Sequence, residues 1–96
     1  MRISKKVVSN LVQSISSFRP ESEIFLFGSR TDDTKKGGDI DILIIDELPL
    51  SVDERVKIEW AFWEEFGPQK LDLVSFKPDS DNPFKRLALR NALKLN

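Results

Sequence analysis

Residues Glu23 to Ile45 read EIFLFGSRTDDTKKGGDIDILII, and the fold turns on how that stretch divides. Ile24 to Phe27 is a short apolar strand that stops at Gly28-Ser29, a polar loop follows, and a second apolar strand opens with Asp39-Ile40-Asp41. Side chains alternate faces along a strand, so Asp39 and Asp41 point one way while Ile40 and Ile42 point the other. Two carboxylates on one strand face stand roughly 6 to 7 Å apart, and at an effective dielectric of about 20 they repel by on the order of 2 to 3 kcal/mol. A divalent cation removes that cost. Oxygen-only ligands with room for phosphate and water match the preference of Mg²⁺, and a glycine just upstream lets backbone N–H groups approach a phosphate closely.

Outward from this stretch the chain reads as alternating elements. Ile3, Val7, Val8, Leu11, Val12, Ile15 and Phe18 have the three- and four-residue spacing of an amphipathic helix, which Arg19-Pro20 ends. Ser29 and Arg30 can open a helical turn after the first strand, with its positive end facing an anion. Lys35-Lys36-Gly37-Gly38 then reverses the chain, so the strands Glu23 to Phe27 and Asp39 to Ile45 should pair antiparallel. Ser51 and Glu54 form a capping-box pattern for a helix from Val52 to Phe66, stopped by Gly67-Pro68. Val56, Trp60, Phe62, Trp63 and Phe66 make a broad apolar arc on it, read mainly as core; an edge left exposed would be a binding surface.

Leu71 to Phe76, LDLVSF, is a third strand with one acid in an apolar run. If Asp72 is to join Asp39 and Asp41, the second and third strands must be parallel, and the helix between them is the crossover such a pair requires. Asn82-Pro83 reads as cap and first residue of a last helix, with Phe84, Leu87, Ala88 and Leu95 along one side and Lys85, Arg86, Arg90 and Lys94 elsewhere. The expected architecture is α/β (α+β), in the order α-β-(α)-β-α-β-α, with a three-stranded mixed sheet flanked by helices in a single domain over residues 1–96.

Composition narrows the chemistry. Ninety-six residues, 40% hydrophobic and 32% charged, suit one modest core. No apolar run approaches membrane-spanning length and no leader pattern is present, so cytoplasmic residence is the expectation. A net charge of −1 supplies no basic field for autonomous nucleic-acid binding. With no Cys and no His there is no disulfide, no Cys/His zinc site and no histidine base. Carboxylates, Lys/Arg, hydroxyls and an oxygen-held metal remain.

Gly28-Ser29, nine residues, then Asp39-Ile40-Asp41 and the run Ile42 to Ile45 resembles the GS…DxD signature of the DNA polymerase beta-like nucleotidyltransferase superfamily. FGSR…GDIDILI in so short a chain is similar to the minimal nucleotidyltransferase (MNT) domains, many of them antitoxin partners of HEPN-domain toxins. The resemblance implies the nucleotidyltransferase fold and transfer of a nucleoside monophosphate, AMP from ATP, to a hydroxyl. It places two Mg²⁺ ions on Asp39, Asp41 and Asp72, and the nucleotide's phosphates on Gly28, Ser29 and Arg30. No acceptor site is evident within the chain, so a partner protein or another copy must present the hydroxyl. The implied partner is a small helical HEPN-type toxin with a tyrosine acceptor; the chain has no Tyr of its own to modify.

The loop departs from the family's basic pattern, since Thr31-Asp32-Asp33-Thr34 brings acids toward a triphosphate, partly offset by Lys35 and Lys36. That departure keeps two further readings open: a module that neutralises its partner by contact alone, and an ATP-sensing regulatory domain. Solvated acids at a strand start and a plain turn glycine would also produce parts of the motif.

Overall fold

The computed structural model describes residues 3–28 and 39–96. The elements run α1 (Lys5–Phe18), β1 (Glu23–Phe27), β2 (Ile40–Ile45), α2 (Val52–Phe66), β3 (Leu71–Phe76), α3 (Pro83–Leu89) and β4 (Leu93–Lys94). The sheet order is β3-β2-β1-β4. β1 pairs antiparallel with β2 from Glu23↔Ile45 to Phe27↔Asp41, and β2 pairs parallel with β3 from Ile40↔Leu71 to Ile45↔Phe76. Both orientations are those expected from the loop length and the helical crossover. The helical turn expected at Ser29 and Arg30 lies outside the described residues.

Strand alternation divides the molecule into two faces. Ile24, Leu26, Ile40, Ile42, Ile44, Leu71 and Leu73 turn to one side and form a buried cluster with Leu11 and Ile15 of α1 and Ile58 and Phe62 of α2. Leu43 and Ile45 turn to the other, where Ala88 of α3 covers them, with Phe25, Phe27, Val74, Phe76 and Leu89 packed around. Because the period is two, Asp41 must face the α3 side. The chemistry-bearing positions and the larger core therefore occupy opposite parities of β2.

Polar ties hold α1 and α2 to one another. Ser51 Oγ accepts from the Glu54 N–H while the Glu54 carboxylate accepts from the Ser51 N–H, completing the capping box. The same carboxylate meets Arg19 at 2.7 Å, and Arg19 also donates to the carbonyls of Phe18 and Pro49. Farther along, Asn10 donates to the Ala61 carbonyl and to Glu65 Oε1. Across the layer, the Arg55 guanidinium of α2 donates to the Leu73 carbonyl of β3.

Three expectations are corrected. The sheet has four strands, not three, because the last helix stops at Leu89 and the chain then pairs antiparallel with β1, Phe25↔Lys94 and Leu26↔Leu93. The outer edge of β1 carries backbone groups that need partners, and satisfying them outweighs the helix propensity of this segment. The Leu95 N–H donates to the Ile24 carbonyl at 2.8 Å, and Leu95 packs against the α1/α2 cluster, on the opposite side of the sheet from Ala88.

Second, Lys85, expected only to lie off the apolar side of the last helix, is buried. It is 7% exposed, and its ammonium donates to the carbonyls of Lys77, Pro78 and Ser80 at 3.0, 2.7 and 3.1 Å. Third, Trp60 and Val56 are exposed, while Ile58, absent from the expected arc, is fully buried with Phe62. At about 100° per residue Trp60 lies roughly 200° from Ile58, on the far side of the helix from the core. Trp63 and Phe66 do pack against the core cluster as expected, and the Trp63 indole N–H donates to the Gln69 carbonyl.

Candidate active site

One row of the sheet holds the candidate chemistry. Phe27 of β1 pairs with Asp41 of β2, and Asp41 pairs with Asp72 of β3. Directly opposed residues on neighbouring strands share a face, so Phe27, Asp41 and Asp72 stand side by side on the α3 side. The next row, Phe25, Leu43 and Val74, is already apolar and packed. The carboxylates thus sit where β2 and β3 begin, at the rim of the smaller core.

Asp41 and Asp72 are directly opposed across the parallel pair. Burial, then the hydrogen-bonding influence and charge of Asp72, and the charge of Asp39 push the Asp41 pKa from 3.8 up to about 6, with Lys70 pulling the other way. Asp39 sits one residue before β2 and half exposed, its Oδ2 3.8 Å from Lys70 Nζ. The structure therefore brings Asp41 and Asp72 into contact and leaves Asp39 within electrostatic reach, beside a lysine that the sequence reading did not single out. Only the position of Lys70, immediately before β3 and level with Asp39, could have flagged it.

Gly28 ends β1 against this pair. Its φ is +79°, in the left-handed region that favours glycine, and a Cβ placed on it would lie 2.1 Å from Asp41 Oδ2. The absence of a side chain is what allows the backbone and the carboxylate to meet. Ser29 and Arg30, expected to hold phosphate, lie outside the described residues, as do Asp32, Asp33, Lys35 and Lys36 of the loop.

The donor chemistry suits a hard cation. Both members of the central pair are oxygen donors that repel one another when ionised, a cost that a divalent ion between them would remove. Among the described residues, no three acidic groups are drawn together as a ready-made cage. Asp39 would have to turn from Lys70 to complete one.

Beyond the acids, the row ends in aromatic side chains. The Phe84 ring, in the first turn of α3, meets Phe27 edge-on, with centroids 5.9 Å apart, and lies tilted at 34° to Phe76 at 6.2 Å. Asn82 caps this helix by accepting from the Phe84 N–H, and Pro83 occupies its first position, as the Asn-Pro pair predicts. Among the described residues, no helix is long and apolar enough to cross a membrane.

A family model described as a nucleotidyltransferase domain matches residues 8–95 of the chain. No curated protein matches it.

Proposed function

The chain belongs to the nucleotidyltransferase domain family, and from that premise we propose that it transfers a nucleoside monophosphate, AMP from ATP, to a hydroxyl presented by a partner protein. The observation that supports this reading is the contact of Asp41 with Asp72 across the parallel β2–β3 pair, beside a glycine whose missing side chain lets its backbone approach them.

In this reading Asp41, Asp72 and Asp39 hold two Mg²⁺ ions. Bound there, the metal supplies charge neutralisation at the triphosphate and lowers the pKa of the acceptor hydroxyl. Gly28, Ser29 and Arg30 hold the outer phosphates so that the leaving pyrophosphate lies in line with the attacking oxygen. Asp72, on the outer strand of the pair, receives the acceptor's proton. A new bond forms between the acceptor oxygen and the α-phosphorus, and the bond from the α-phosphorus to the bridging oxygen breaks, releasing pyrophosphate.

A small helical protein presenting a tyrosine, as in the HEPN toxins that MNT antitoxins accompany, supplies the acceptor and gives the chain an antitoxin role. The test is incubation of the complex with Mg-ATP labelled at the α-phosphate. Label should reach the partner with the native chain and not with Asp41→Asn, while the complex stays intact. Neutralisation of the partner undiminished by that substitution would sink the enzymatic reading in favour of neutralisation by contact. One surface favours that second reading: Val52, Val56 and Trp60 form an exposed apolar line at four-residue spacing on α2, 77%, 43% and 57% exposed.

A further inference from the structure

Phe84 departs from the rule that a large aromatic side chain in a small domain is spent on the core. It is 46% exposed, although two other rings touch it. Phe27 meets it at 87° and Phe76 at 34°, so neighbours brace the ring and leave nearly half its surface open. The backbone beneath is fixed as well, by the Asn82 cap and by the Lys85 ammonium on the three carbonyls of the preceding loop.

Position gives this open surface a meaning. Phe27, which holds the ring, is the residue opposite Asp41 in the sheet register. With strands about 4.8 Å apart and the two rings 5.9 Å apart, Phe84 lies on the order of 10 Å from the carboxylates, on the same face, a separation that one nucleoside can bridge. Exposed aromatic surface at that distance from the carboxylates suits a flat heteroaromatic ring.

We infer that the open face of Phe84, braced by Phe27 and Phe76, is the platform on which the nucleobase of the substrate stacks. This inference rests on the nucleotidyl-transfer reading and deepens it. Stacking uses the π-face that every base has and reads no hydrogen-bonding edge. The site therefore ranks bases by stacking area, purines ahead of pyrimidines, and separates ATP from GTP only weakly.

The experiment compares calorimetric affinities for Mg-ATP and for Mg-tripolyphosphate, which has no base. The native chain should bind both, ATP more tightly. Phe84→Leu should weaken ATP by about tenfold and leave tripolyphosphate unchanged, the latter also reporting that the variant is folded. Phe84→Trp should keep or tighten ATP. Equal losses for both ligands in Phe84→Leu, or unchanged ATP affinity, would overturn the platform while leaving the transfer reading in place. Failure of the native chain to bind either ligand would overturn both.

Discussion

Gly28 and Asp41 fit together only because one of them lacks a side chain: a Cβ on Gly28 would stand 2.1 Å from Asp41 Oδ2, and the glycine's φ of +79° would strain any other residue. The clash can be relieved only by moving the carboxylate or the backbone, and the strain at φ only by moving the backbone. Gly28→Ala should cost about 1 to 3 kcal/mol of stability in urea unfolding and should abolish nucleotidyl transfer. A variant with native transfer rates would show that the close approach is not needed.

The Asp41 proton gives the metal-free chain a defined response to pH. Its folded pKa, about 6, lies above the ordinary 3.8, so its protonated form stabilises the fold fully below about 3.8, and that contribution is lost as pH rises through about 6. Asp41→Asn keeps a hydrogen-bonding group with no charge to desolvate. The stability difference between native chain and variant should move in the variant's favour over this interval, as read from denaturant midpoints across pH. Added Mg²⁺ should restore the native chain above pH 6, and a difference flat with pH would refute the assignment.

Lys70 and Asp39 lie 3.8 Å apart with both side chains at least half exposed. Such pairs contribute little to stability, about 0 to 1 kcal/mol. Lys70→Ala should therefore lower the melting midpoint by no more than about 4 to 8 °C, yet raise Mg²⁺ affinity severalfold, because it removes a cation that competes for Asp39. Unchanged or weaker Mg²⁺ binding in this variant would show that the lysine does not compete for Asp39.

Glu54 is asked to do two things, closing the cap of α2 and holding Arg19 at the end of α1. Glu54→Gln preserves the cap acceptor and loses the charge, for about 1 kcal/mol; Glu54→Ala loses both and leaves the half-buried Arg19 without its carboxylate, for about 2 to 3 kcal/mol. Chemical denaturation of the two variants separates these contributions. Equal costs would mean that the charge alone matters; a cost confined to Glu54→Ala would mean that the cap alone matters.

Much of this arrangement is legible in the chain. The alternation in Asp39-Ile40-Asp41 fixes which face the acids take, the short link between the strands fixes an antiparallel pair, and the Val52–Phe66 helix fixes the parallel return that sets Asp72 beside Asp41. These are local signals with one geometric solution. What escaped was non-local. The conversion of Leu93–Lys94 to a strand depends on the unfilled edge of β1, the burial of Lys85 on three loop carbonyls found through space, and the placement of the Phe84 ring on neighbours from β1 and β3. Trp60 was misplaced for a simpler reason, that a helix rich in aromatics has more large side chains than its buried stripe can take.

The Lys85 ammonium, fastened inside the turn between β3 and α3, has one further consequence. A corner already clamped by three bonds has less conformational freedom to surrender when a small molecule settles on the first turn of α3, so association there should carry a smaller entropic penalty than organising a mobile loop would. The protein would meet its ligand on that flank with its backbone largely arranged beforehand.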